Sequence, residues 1–314
     1  MDNPPVATPT VSRQPTTADS GWVRAAKGRT PPNVKETAKA SLRAYGMVTS
    51  PLRQLPTYLV IGAKRCGTTS LQNYLLAHPQ VAPLFPRAAH LKGAHYFDRN
   101  AYRSVSWYRS FFPARLPGKS LVCGDASPYY FIHPHAAERA AATVPAVKII
   151  ALLRDPVERA ISQYRDEVKC GHETLSLPDA LAAEAVRLNP DLTERSADLR
   201  WGSFVHEHLC YRTWGLYAEH LARWSAYFAR DQILLLRSID LFERPQATYQ
   251  TVTDFLGLAP YLPPTFARYN ATTEGSADVT VAGELRQYYR PHDEELRRSW
   301  PMPHRWAWSS SDST

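Results

Sequence analysis

Apolar residues fall along the chain in short runs whose internal spacing changes from one run to the next. Tyr58-Leu-Val-Ile61, Val147-Lys-Ile-Ile-Ala-Leu-Leu153 and Ile233-Leu-Leu-Leu236 are near-continuous and predict strands buried on both faces. Between them the spacing becomes helical. Thr69–Ala77 predicts a helix ended by His78-Pro79, and a second, from roughly Pro245 to Leu256, stops at Gly257. Asp155-Pro156-Val157-Glu158 opens another, with Asp as N-cap, Pro at the first helical position and Glu three residues after the cap. On that helix Val157, Ile161, Tyr164 and Val168 form the expected core stripe, while Asp155, Arg159 and Ser162 share a different face. Tyr217, Leu221, Trp224 and Phe228 make a second core stripe. Strands separated by helices imply an α/β, three-layer fold: a central, mostly parallel sheet flanked by helices.

The turn after the first strand carries the most chemical information. Strand, Gly-bounded loop, then helix is the geometry that wraps backbone N–H groups and a helix N-terminus around a phosphate. Gly62 and Gly67 have the spacing of an ATP-binding loop, but Thr68-Thr69-Ser70 follow where such a loop carries Lys and then Ser or Thr. The cations Lys64 and Arg65 lie inside the loop instead. The expectation is a phosphate cradle for something other than Mg-ATP. The strand Val147–Leu153 delivers Arg154 to its C-terminal edge, where open α/β sheets place their ligands. Arg154 and the Ser162 hydroxyl are thus candidates to grip one phosphate.

Composition narrows the partners. The chain has 314 residues, 44% of them hydrophobic, with 37 Lys and Arg against 29 Asp and Glu for a net charge of +8. That suits an anionic ligand, but basic residues do not cluster and no stacking or helix-turn-helix pattern is present, so nucleic acid is not expected. Cys66, Cys123, Cys170 and Cys210 form no CxxC pair and read as reduced thiols of a cytosolic protein. No apolar run approaches the ~20 residues of a membrane helix, and the N-terminus lacks a signal-peptide core; peripheral membrane contact is left open. Residues 1–50 read as a flexible segment, Pro-rich and then basic with at most one short helix, residues 51–305 as one domain, and residues 306–314 as a flexible tail.

Gly62-Ala-Lys-Arg-Cys-Gly-Thr-Thr-Ser-Leu71 followed by Leu153-Arg-Asp-Pro-Val-Glu-Arg-Ala-Ile-Ser-Gln-Tyr164 resembles the PAPS-dependent sulfotransferases. The similarity is to the branch holding the heparan sulfate and other carbohydrate enzymes and their bacterial relatives. Lys92-Gly-Ala-His-Tyr-Phe-Asp98 resembles the family's acceptor-base segment, and Gly124-Asp-Ala-Ser-Pro-Tyr-Tyr-Phe131 its acceptor-side turn. The resemblance covers roughly residues 56 to 300 and implies sulfuryl transfer from PAPS to a hydroxyl of a carbohydrate, glycolipid or small-molecule acceptor, releasing PAP. Sulfuryl carries less charge than phosphoryl, so a metal clamp is less needed and none is expected.

By position the resemblance assigns Lys64, Arg65, Cys66, Gly67, Thr68, Thr69 and Ser70 to the 5′-phosphosulfate, and Arg154 and Ser162 to the 3′-phosphate, with Tyr217 at the same nucleotide. Arg65 falls where the family usually has a Lys on the leaving phosphate, so Arg65 is the expected clamp with Lys64 beside it. Lys92, Asp98, Asp125 and Tyr129 fall on the acceptor side. One position departs from the pattern: where the heparan sulfate enzymes carry the Glu base, this chain has Gly93. His95 is the expected replacement because its ordinary pKa of about 6.5 suits a general base, and Asp98 and Asp125 are the carboxylate alternatives. Cys66, beside two cations, is expected to favour its thiolate. His133-Pro-His135 and His206-Glu-His208 each offer two metal ligands without an evident third. The stretches from about Ser104 to Lys119 and Cys170 to His208, with Arg187, Arg195 and Arg200, are expected to select the acceptor. Two other readings stay open: a P-loop kinase or NTPase, and a non-catalytic PAPS- or PAP-binding protein that has lost its base.

Overall fold

Five strands make the sheet: β1 (Tyr58–Gly62), β2 (Val81–Ala82), β3 (Val122–Ala126), β4 (Lys148–Leu153) and β5 (Ile233–Arg237). Their order is β2-β3-β1-β4-β5, and every pairing is parallel. The structure, a computed structural model, describes residues 32–87, 91–115, 118, 121–188, 198–269, 279–301 and 308. Flanking the sheet are α1 (Pro32–Val48), α2 (Thr68–Leu76), α3 (Val105–Arg109), α4 (Ala136–Thr143), α5 (Pro156–Lys169), α6 (Leu177–Arg187), α7 (Phe204–His208), α8 (Tyr217–Ser225), α9 (Ser238–Glu243), α10 (Pro245–Leu256) and α11 (Val279–Ser299).

The central strand β1 is buried at every position, as its unbroken apolar run requires. Its partner β3 escapes a hydrophobic search because Gly124 and Asp125 interrupt it, and both residues have packing reasons. Gly124 pairs with Tyr58 across the sheet, and a Cβ there would lie 2.1 Å from the Tyr58 ring. Asp125 is buried, and its carboxylate accepts from Ala94 N, Ser127 Oγ, Tyr108 Oη and Tyr130 Oη at 2.6–3.0 Å.

Helix α5 begins as its sequence specifies. Asp155 Oδ1 accepts from the backbone N–H groups of Val157 and Glu158 at 2.8 and 2.9 Å, with Pro156 in the first turn. Val157 and Ile161 are buried, but Val168 is exposed, so the core stripe ends a turn early. Arg159, one turn from Ser162, is buried as Ser162 is. Its guanidinium donates to Gln163 Oε1 at 2.6 Å and to the Tyr211 carbonyl. The second stripe, Tyr217, Leu221, Trp224 and Phe228, is buried throughout. Helix α10 ends at Gly257, whose φ of 71° is the left-handed C-terminal cap that glycine favours.

Residues expected to be flexible up to position 50 include a helix of 17 residues, Pro32–Val48. Its C-terminal half docks through Arg43, whose guanidinium sits 3.5 Å from the Phe111 ring centre and donates to Ser110 Oγ at 3.0 Å. Residues 1–31 and 309–314, where flexible ends were expected, lie outside the described residues.

Candidate active site

The loop between β1 and α2 is shaped by its two glycines. Gly67 has φ +92° and caps α2, and a Cβ there would come within 3.0 Å of Leu241 and Phe242 of α9. Gly62 has φ +152° and faces the Phe131 side chain, where a Cβ would lie 2.6 Å away. Ala63 N–H donates to Leu152 O at 2.8 Å and ties the loop to β4. The loop is therefore clamped between the tips of neighbouring elements, with the N-terminus of α2 at its mouth.

Its two cations have different fates. Arg65 turns into a cavity lined also by Gly67, Thr68, Thr69, Arg154, Ser162, Ser238, Phe242, Arg268 and Tyr269. Its Nε donates to Ser162 Oγ at 3.2 Å and its Nη1 lies 3.1 Å from Asp166 Oδ2. Lys64 points elsewhere, with Nζ 2.5 Å from Glu167 Oε1 and 3.3 Å from His208 Nδ1. Arg154 lines the same cavity from the tip of β4, steadied by Glu158 at 2.9 Å. Three guanidinium groups thus meet at one cavity, with Arg268 carried over the Phe242 ring at 4.5 Å. That donor set, around a loop whose two glycine positions have no room for a Cβ, suits a phosphorylated ligand.

Other residues assigned to the nucleotide hold the cradle together. Ser70 is buried, and its Oγ accepts from Tyr269 N at 3.1 Å, pinning the last cavity-lining segment to α2. The Tyr217 hydroxyl is buried and donates to the Arg154 carbonyl at 2.8 Å, fixing the strand tip from behind. Cys66 does not favour its thiolate. It is fully buried, and burial pushes the thiol up to about 11, outweighing the pull of Arg159 and Arg154.

On the acceptor side, Lys92 Nζ donates to Thr69 Oγ1 at 2.9 Å and joins the segment Lys92–Asp98 to the first turn of α2. Lys92 O also accepts from Ala126 N at the end of β3. His95 is partly exposed, and its Nδ1–H donates to the buried Asp98 at 2.8 Å. Burial opposes the imidazolium, but the hydrogen bond and charge of Asp98 outweigh it, so the pKa of His95 is raised. With Nδ1 engaged, Nε2 is the nitrogen left to accept a proton. Asp98 orients the ring. Asp125, held by four donors, has no open lone pair to serve as a base. A Cβ at Gly93 would fall 2.2 Å from Ser127 Oγ and 2.6 Å from Asp125 Oδ1, so the Asp125–Ser127 pair occupies the place of a side chain there. Tyr129 is buried, with its hydroxyl 2.8 Å from His206 Nδ1. Arg187 is committed to Glu173 at 2.6 Å, Arg200 lies 5.8 Å from the Tyr102 ring, and Arg195 is outside the described residues.

The histidine pairs also separate. His133 and His206 are buried, and burial lowers them to about 2 and about 4. His208 turns the other way, toward Glu167 and His172, which supplies the third ligand-type group that the sequence did not reveal. The cavity residues Ser238, Phe242, Arg268 and Tyr269 were also missed. The position of Ser238, two residues past the strand predicted over Ile233–Leu236, was the one available signal.

Comparison with known proteins agrees with this geometry. The family model for the sulfotransferase domain matches residues 55–264. Over 269 residues the chain is 31% identical to heparan sulfate glucosamine 3-O-sulfotransferase 3B1 of Mus musculus, covering 78% of this chain and 63% of that protein. Over 209 residues it is 32% identical to bifunctional heparan sulfate N-deacetylase/N-sulfotransferase 3 of the same organism, covering 66% of this chain and 23% of the relative. The chain thus spans less than two thirds of the length of these relatives. Among solved structures, a sulfotransferase from Alicyclobacillus acidocaldarius superposes with a TM-score of 0.61 at 26% identity, covering 78% of this chain and 96% of the other. With a matched domain from before β1 to beyond α10, and the cradle, strand-tip Arg and helix Ser on one cavity, the chain belongs to the sulfotransferase family.

Proposed function

We propose that the chain is a PAPS-dependent sulfotransferase that sulfates a hydroxyl of a carbohydrate, glycolipid or small-molecule acceptor and releases PAP. The observation that carries this reading is the convergence of Arg65, Arg154 and Ser162 on the cavity at the Gly62–Gly67 loop. PAPS supplies the sulfuryl group, and the loop N–H groups with Arg65 hold its phosphosulfate. Arg154 and Ser162 hold the 3′-phosphate. Arg65 neutralises charge at the leaving phosphate as the S–O bond to it breaks, and as a permanently charged group it does so without donating a proton. His95 Nε2 takes the acceptor's hydroxyl proton, and Asp98 keeps the ring in the tautomer that makes this possible. The carbohydrate acceptor follows the named substrates of the similar proteins.

A cytosolic setting is part of the same reading, supported by four cysteines that all stand as free thiols. The test is PAP release from PAPS in the presence of a panel of hydroxyl acceptors, glycans first. Acceptor-dependent release supports the proposal. Binding of PAP without turnover on any acceptor would favour a nucleotide-binding protein instead.

A further inference from the structure

Behind the cradle, Glu167 near the end of α5, His172 just beyond it and His208 at the end of α7 come together with one ligand atom each within 4.8 Å of the others. His172 Nδ1 is 2.8 Å from Glu167 Oε2, and His208 Nδ1 is 3.1 Å from both oxygens of that carboxylate. Glu167 is buried and His172 is partly exposed, so the cluster has a charged floor and a solvent-facing side. The far nitrogen of His208, Nε2, lies 3.9 Å from Glu207, whose carboxylate is held by Arg99. Two imidazoles and one carboxylate are the ligands of three-ligand zinc sites, which leave a fourth position open. A metal here would bind each ligand at about 2.0–2.2 Å.

The Lys64 ammonium lies on the same atoms, at Glu167 Oε1 and near His208 Nδ1. A divalent cation and the ammonium need the same carboxylate and repel each other, so they exclude one another. From this overlap we infer that Glu167, His172 and His208 form a site for a divalent transition metal of the Zn²⁺ class, which binds in exchange for Lys64. Occupation frees the Lys64 side chain from Glu167 while its backbone stays next to Arg65 in the cradle. The metal is thereby linked to the loop that holds the nucleotide, although it takes no part in the transfer.

The test is direct titration of the metal-free chain with Zn²⁺ by calorimetry, and with Co²⁺ followed by its visible spectrum. One equivalent is expected. The solvent-facing variant His172→Ala should bind at least about tenfold more weakly, and His208→Ala should do the same if it stays folded. Lys64→Met should bind more than about tenfold more tightly, because the competing charge is gone. No stoichiometric binding, or binding that His172→Ala leaves unchanged, would overturn the site. Affinity unchanged or weakened in Lys64→Met would overturn the exchange.

Discussion

The nucleotide cradle and the acceptor-base segment both depend on glycine, for different reasons. In the cradle, Gly62 and Gly67 take positive φ angles and let Phe131, Leu241 and Phe242 close on the loop backbone. In the base segment, Gly93 makes room for protein: Asp125 and Ser127 fill the volume that a side chain would take. The first use is a local property of a contiguous sequence, and the second is imposed by a strand that reaches the site through the fold. With position 93 filled in this way, the proposed base is sought among neighbours with an open lone pair, and His95 offers one where Asp125 does not.

Breaking the base should have the largest effect on turnover. His95→Ala is expected to lower kcat by about 10²–10⁴ while leaving PAP affinity intact, measured by transfer assay beside a binding titration. Equal losses in both would place His95 with the nucleotide. Arg65→Ala should lower kcat by about 10²–10³ through loss of charge stabilisation at the leaving phosphate. If Lys64→Ala proved the more damaging in that assay, the assignment of the two cations would be reversed. Arg154→Ala should weaken PAP binding by roughly tenfold to a hundredfold, the worth of a charged hydrogen bond, with ADP binding little changed.

Smaller effects sharpen the contrast between the glycines. Gly93→Ala should cost about 1–3 kcal/mol of stability through overpacking, read from denaturant unfolding. Gly93→Glu should fail to restore a base. The acid limb of the pH–rate profile should fall above 6.5, because the raised pKa of His95 means that its basic form is gained only at higher pH. Asp98→Asn removes the raising interaction but leaves the burial, so the limb should move to lower pH while kcat drops.

Legibility in the sequence followed the same division. Strands β1, β4 and β5 and the capped start of α5 were visible because burial on both faces and end-capping leave continuous local signals. Strand β3 was hidden because its Gly124 answers to the Tyr58 ring and its Asp125 to donors from three other segments. Arg65, Arg154 and Ser162 could be named from motif spacing, yet the split between Arg65 and Lys64 depends on Asp166, Glu167 and His208, which only the packed fold brings near. Cys66 misled because adjacent cations in sequence are not adjacent in effect once the thiol is buried.

The central claim is that the cavity reads a 3′-phosphate through Arg154 and Ser162. Its most direct test is a thermal-shift titration with PAP beside ADP, with and without Mg²⁺. A ligand at a hundred times its Kd adds ~2.7 kcal/mol to stability, enough to raise the Tm visibly. The account predicts a shift with PAP that ADP does not reproduce and that does not need Mg²⁺; a shift with Mg-ADP equal to or larger than that with PAP would contradict it.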